Sequence, residues 1–251
     1  MKTNSLIAAS LFAASSFFST SLFAASTWSA TWDSPSCTTS TTEVVGNSYT
    51  CSEVGATTMT ATAWSTTAGS PATQFAAATL KRYSGGFGVQ ANGSISDSGS
   101  PEHSMDNHIY TDAILLKFDV AVALTSINLG WTYRDRDISV LAYKESTAST
   151  PSISGLTAAG LIANSWQLIG NYSSALDGTT SNSSDAIATI TNQGLESSKR
   201  VSSSWWLVSA YNAAFTTSAY DRAEHGGSPL RANRESQTSL SSLSSGSTTS
   251  T

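Results

Sequence analysis

Charged side chains are scarce in this sequence: they make up 12% of its 251 residues, roughly half the share usual in a globular protein. Ser and Thr are abundant in their place. That balance suits sheets facing an extracellular medium and does not suit a charged cytosolic surface. The net charge of −5 leaves no electrostatic footprint for nucleic acid, and the basic residues are too scattered to track a phosphate backbone. Beyond residue 24 no apolar run is long enough to span a bilayer. Cysteine is nearly absent, with only Cys37 and Cys51. Neither belongs to a C-x-x-C and no His is near them, which argues against a metal or redox centre. Catalytic fingerprints are missing as well. There is no G-x-S-x-G, and Gly85-Gly86-Phe87-Gly88 lacks the spacing and the following helix of a phosphate or dinucleotide loop. No repeat of solenoid period is visible.

What is present begins with a leader. Met1-Lys2-Thr3-Asn4 gives a short positive start, residues 6–23 are apolar with interspersed Ala and Ser, and Leu22-Phe23-Ala24 offers a cleavage site before Ala25. This pattern predicts a signal peptide over 1–24. A transmembrane anchor fits poorly, because the stretch is short and diluted by serines. The mature protein is expected to be secreted, extracellular or at the cell surface, exported through the inner membrane. In that setting Cys37 and Cys51 are expected to form a disulfide, a local staple on an edge hairpin. Closing such a loop contributes about 3 kcal/mol in the chain-entropy picture.

The chain then reads as strands. Its middle is residues 83–131, which opens on Tyr83-Ser84-Gly85-Gly86-Phe87-Gly88-Val89. The glycines there suggest a sharp bend or a close backbone approach. Two apolar runs, 113–118 and 122–131, lie only a few residues apart and read as neighbouring antiparallel strands. In the second, Val122, Leu124, Ile127, Leu129 and Trp131 share one face after a slip at Thr125-Ser126, the signature of a bulge. Residues 43–51 read as a hairpin turning at Gly46-Asn47. Residues 58–64 alternate hydroxyl and apolar side chains, a half-buried strand pattern. Residues 75–83 favour strand over helix, 137–143, 166–172 and 204–211 are further strands, and 156–162 suggests a helical turn. Together these predict an all-β fold: a single β-sandwich or jelly-roll domain over 25–215. The Ser/Thr-rich tail over 216–251 has too little apolar surface to fold and is expected to be disordered.

Several side-chain groups suggest chemistry, each with a plainer alternative. Asp106, Asn107 and Asp112, with Glu102, form an oxygen-rich loop beside a strand, and Ca²⁺ takes about six to eight such oxygens. Their spacing matches no EF-hand template, and Asp106 and Asn107 also suit turn capping. His103 and His108 do not have the spacing of a zinc helix motif. Asp135 and Asp137 point the same way on a strand. Interleaved Arg134 and Arg136 make a salt-bridged role better than a glycosidase pair, which stands roughly 5 to 9.5 Å apart. The tryptophans Trp64, Trp131, Trp166, Trp205 and Trp206 suit core packing. Trp205 and Trp206 are adjacent, however, and must face opposite sides of a regular strand. One of that pair is the leading candidate for a glycan contact.

With these residues laid out, the chain resembles the exosortase-dependent surface proteins of the PEP-CTERM type. The resemblance covers roughly residues 64–215. It is carried by Thr62-Ala63-Trp64-Ser65, Tyr83-Ser84-Gly85-Gly86-Phe87-Gly88-Val89, Ser100-Pro101-Glu102-His103-Ser104-Met105-Asp106-Asn107 and Leu129-Gly130-Trp131. It continues through Asp135-Arg136-Asp137-Ile138-Ser139-Val140-Leu141-Ala142-Tyr143 and Ser204-Trp205-Trp206-Leu207-Val208-Ser209-Ala210-Tyr211-Asn212. The resemblance implies a non-enzymatic cell-surface or extracellular-matrix protein of a Gram-negative bacterium, with exopolysaccharide or other surface components as partners and no resident cofactor. The Pro-Glu-Pro motif, apolar helix and basic cluster of that family do not follow Phe215, so the ending has the character of a truncated or frameshifted reading. Exosortase processing applies only where that signal is present. The alternative reading is a carbohydrate-binding β-sandwich module, with an extracellular glycan hydrolase behind it.

Overall fold

The computed structural model describes residues 27–30, 34, 36–39, 42–52, 57–66, 74–92, 104–107, 110–134, 137–145, 150–172, 186–189, 201–215 and 236–245. The expected leader over 1–24 lies outside the described residues. In chain order come β1 (Thr27–Ser29), β2 (Cys37–Thr38), β3 (Ser48–Cys51), β4 (Met59–Thr66), β5 (Phe75–Ala77), β6 (Thr79–Tyr83), β7 (Gly86–Gln90) and β8 (Met105–Asp106). The long strands β9 (Asp112–Val122) and β10 (Leu124–Arg134) follow, then β11 (Ile138–Tyr143) and the helix α1 (Ala158–Ala163). Last are β12 (Trp166–Tyr172), β13 (Ala186–Thr189), β14 (Ser203–Ala210) and β15 (Ser236–Ser245).

These strands form two antiparallel sheets. The first runs β13-β10-β15-β7-β6, with β1 and β8 also paired to β15. The second runs β12-β11-β14-β9-β4-β3-β2, with β5 added to β4. Between them lies one interior. Phe87, Val89, Leu124, Ile127 and Leu129 enter it from the first sheet, and Met59, Ile114, Leu116, Phe118, Val140 and Trp206 from the second. The all-β sandwich is therefore as expected from the alternation, and each large side chain buried there contributes about 1.5–3 kcal/mol. A second apolar cluster covers part of the outer face of the second sheet. There α1, Ile153 and Phe215 pack over Leu115, Leu141, Trp205 and Leu207. Thr157 caps α1 through its hydroxyl, which accepts from the Gly160 N–H at 3.0 Å. Ser165, in the left-handed region at φ 66°, turns the chain into β12.

Cys37 and Cys51 are bonded and face each other across β2 and β3, the edge pair of the second sheet. The glycine expectation also holds. Gly85 and Gly86 turn the β6–β7 hairpin, Gly86 with φ 113°, and a Cβ on Gly85 would stand 2.7 Å from that of Trp131. The bulge expected at Thr125-Ser126 is real: Leu124 pairs with Ser245 and Ser126 with Ser244, leaving Thr125 over.

Three expectations are corrected. First, the two central apolar runs are not paired neighbours. β9 belongs to the second sheet and β10 to the first, and Ala123 alone separates them. One residue is too few for a hairpin turn, so the chain bends across the interior instead. Second, residues 43–51 are not a hairpin. Gly46, at φ 80°, does turn the chain, but the strand begins at Ser48 and pairs with β2 and β4. Asn47 is buried and behaves like a strand partner: its amide donates to the Leu80 carbonyl at 2.9 Å and accepts from the Leu80 N–H at 2.7 Å.

The third correction concerns the tail. Within 216–251, residues 236–245 form β15, which fills the middle of the first sheet rather than being disordered. The domain accordingly extends past 215. Two leucines suffice because β15 adds a layer to an interior already built by other strands. Leu240 and Leu243 are three apart, a spacing no regular strand places on one face. The register resolves this. Ser242 opposes Asn128 and Leu240 opposes Leu129, so Ser241 is an extra residue that lets both leucines turn inward. Composition alone undervalues such a strand.

Tyr49 sits at the edge of the interior, its ring 5.2 Å from that of Phe87 and its hydroxyl donating to Glu43 at 3.1 Å. Burial first, and then the Glu43 carboxylate, push its pKa up to about 12. The folded value lies above the unfolded value of about 10, so this contribution to stability is complete below about pH 10 and lost as pH rises through about 12. Thermal unfolding followed from pH 8 to 12 should show the melting temperature falling over that upper window, and Tyr49→Phe should shrink the fall. An identical alkaline profile in the variant would remove Tyr49 as the cause. For the tail, Leu240→Ala should lower the unfolding free energy by about 2–5 kcal/mol in urea titration. An unchanged midpoint would mean that β15 is not docked.

Candidate functional site

The second sheet uses both faces of its central strands, and register decides what each face shows. Thr60 on β4 is opposite Lys117 on β9, which is opposite Trp205 on β14. One step along, Thr62, Leu115 and Leu207 form a parallel row; next, Trp64 is opposite Ala113. Because side chains alternate, these rows all face outward, while Met59, Ala61, Ala63, Ile114 and Leu116 face the interior. The helix α1 and the 150–156 segment cover Leu207 and much of Trp205, and the segment reaches as far as β5, where Gly155 and Leu156 bond to the Phe75 backbone beside the end of β4. Between the 150–154 loop and the outward rows of β4, β9 and β14 lies a groove of about 410 Å³.

Its floor is Thr60, Thr62, Leu115 and Lys117, Trp64 and Trp205 stand on β4 and β14, and the 150–154 loop closes one side. The surface it presents is mostly apolar, with Trp64, Leu115, Pro151, Ile153 and Trp205 in its lining beside Thr60, Thr62, Thr150, Ser152 and Ser154. Trp64 is half-buried, and its indole N–H donates to the Thr62 hydroxyl at 3.2 Å, which ties the ring along its own strand. Trp205 is 8% exposed. The Lys117 ammonium lies 5.4 Å from the centre of the Trp205 ring, a cation–π contact. The backbone of Trp205 is held by the Ser203 hydroxyl, which accepts from its N–H at 3.0 Å and also reaches the Tyr143 carbonyl at 2.7 Å. The Trp205 indole N–H is buried without an acceptor. At the far side of this face the hydroxyls of Ser165 and Tyr143 both donate to Glu145, and those two bonds, Ser165 first, hold its carboxyl below the usual range.

The adjacent tryptophans face opposite ways, as the strand period requires. Trp206 lies wholly between the sheets, with its indole N–H donating to the carbonyls of Ser203 at 2.9 Å and Val122 at 3.2 Å. It has no access to a ligand. Trp205 is the member of the pair that lines the groove. Trp64 joins it there, although its strand pattern suggested core packing. A signal for this was present: in Thr60-Ala61-Thr62-Ala63-Trp64 the indole falls in register with the hydroxyls, not with the alanines. The sequence did not point to Lys117, because its relation to Trp205 exists only across the β9–β14 ladder.

Of the oxygen-rich loop, Asp106, Asn107 and Asp112 are among the described residues. Asp106 and Asp112 are both buried, and the backbone N–H of Asp106 donates to the Asp112 carboxylate at 3.3 Å. The Asn107 amide turns away to the Tyr211 carbonyl at 2.9 Å. These bonds tie β8 to β9 and to the exit of β14. Among the described residues no three His, Cys, Asp or Glu side chains converge to hold a metal ion. Glu102, His103, His108 and Asp135 lie outside the described residues, and Asp137 is buried at the start of β11. No helix among the described residues is long and apolar enough to cross a membrane. No protein-family model, curated protein or solved structure matches the chain.

Proposed function

We propose that the protein is a non-enzymatic, exported surface or matrix protein whose working part is a glycan-binding groove on the outer face of its second sheet. The observation that carries this is the meeting of Trp64 and Trp205 in one open, mostly apolar groove whose lining also includes Thr and Ser residues. A pyranose ring offers an apolar face of C–H groups and a rim of hydroxyls. Indole surfaces match the first, and Thr and Ser hydroxyls, which both donate and accept, match the second. The groove volume falls in the range of ordinary small-ligand sites. Its described lining holds no Asp, Glu, His or Cys, which favours holding a sugar over cleaving it.

Export is supported by the leader pattern, the low charge, and the disulfide, which belongs to an oxidising compartment. The exosortase-sorted type rests on the sequence blocks between 64 and 212. A hydrolase has no supporting observation in the groove.

Binding to immobilised polysaccharides and to soluble oligosaccharides, read by calorimetry, tests the proposal. Trp64→Ala should weaken binding at least tenfold, about 1.4 kcal/mol, with the circular dichroism spectrum and melting temperature close to those of the parent. Full retention of binding by Trp64→Ala, or no glycan held by the parent protein, would overturn it.

A further inference from the structure

We infer that the groove takes an acidic glycan, a saccharide bearing carboxylate or sulfate groups, and that Lys117 anchors its anionic group. This rests on the glycan reading above. Lys117 is exposed on the groove floor, at the centre of the row Thr60–Lys117–Trp205. The described lining of the groove contains no carboxylate. Asp119, two residues along β9 and on the same face, forms no ion pair with it. The salt bridge among the described residues, Lys81 with Glu43 at 3.1 Å, belongs to β6 and the segment before β3. The ammonium is instead placed over the Trp205 ring.

A solvated surface lysine of ordinary kind extends away from the sheet. This one lies against an indole that is itself part of the groove wall, so a sugar stacked beside Trp205 meets the charge directly. An ammonium on a ring keeps N–H donors for a second partner, and a carboxylate or sulfate oxygen makes the stronger, charge-assisted bond. The hydroxyls around it supply the neutral bonds any saccharide needs and do not discriminate by charge. The rest of the molecule does not favour a polyanion, since its net charge is −5. Attraction to an acidic chain therefore has to be local, and the groove is where a cation, stacking surfaces and hydroxyls coincide.

The experiment compares three probes of equal length on the full chain: an oligogalacturonate, its carboxyl-reduced neutral counterpart, and a sulfated oligosaccharide. The parent protein should bind one or both charged probes at least tenfold more tightly than the neutral one. That margin should shrink as salt is raised, because a partly exposed charge pair is screened. Lys117→Gln should bring charged and neutral probes to the same affinity, while Lys117→Arg keeps the preference. The charged probe that wins identifies the group as carboxylate or sulfate. Equal affinity of the parent protein for charged and neutral probes, lost in Trp64→Ala, would overturn this inference and leave the glycan reading standing. Unchanged preference in Lys117→Gln would overturn it as well. Binding of none of the three by the parent protein would overturn this inference too, and the glycan reading is then decided by the polysaccharide screen above.

Discussion

The alignment of β4, β9 and β14 against one another is the constraint from which the rest follows. With Thr60, Lys117 and Trp205 in one row, the next residue on each strand enters the interior: Ala61, Leu116 and Trp206. A shift of one residue in any of the three would exchange the two faces, putting Trp205 between the sheets and Trp206 outside. The interior enforces this register because Trp206 fills it completely and satisfies its indole N–H on the carbonyls of Ser203 and Val122. The outer rows are thus fixed by what the inner rows must do. A site built this way sits on a rigid support, with its side chains projecting from ladder-paired backbone.

Around that centre the two sheets are tied at several edges by devices that are not apolar. Asn47 bridges the start of β3 to Leu80 of β6, matching one backbone N–H and one carbonyl with a single buried amide. The disulfide closes the outermost pair, β2 and β3. Arg82 donates from the first sheet to the carbonyls of Cys37 and Ser34 and lies over Tyr49. Each connects strands that belong to different sheets or to an exposed rim, where apolar area is least able to help.

Much of the architecture could be read from the sequence because period-two patterning states directly which residues share a face. It located β4, β9, β11, β12 and β14, the helical turn at α1, the bulge in β10 and the opposed faces of Trp205 and Trp206. It did not reveal which strands pair. Neighbours in sequence, β9 and β10, went to opposite sheets, a decision made by the shortness of the link at Ala123 and by tertiary packing. The groove was legible only in part for the same reason. Trp205 could be singled out within its own strand, but its company of Lys117, Thr60 and Trp64 is assembled across ladders between segments some 55 to 145 positions apart. The tail was misread because the amount of apolar surface in 216–251 was weighed, whereas what mattered was the placement of Leu240 and Leu243 relative to a bulge.

That last strand matters to the chain as it is made. β15 follows every other described strand in sequence, yet it lies between β10 and the trio β1, β7 and β8, which it joins along successive parts of its length. Without it the first sheet is four unconnected pieces: β13 with β10, β7 with β6, β1 alone and β8 alone. β10 shows an unpaired edge, and β1 and β8 have no ladder partner within that sheet. Such edges recruit other chains. The second sheet draws no strand from beyond β14, although its inner face packs in the same interior as Leu240 and Leu243. A chain interrupted before β15 would therefore expose the strand edges that β15 covers.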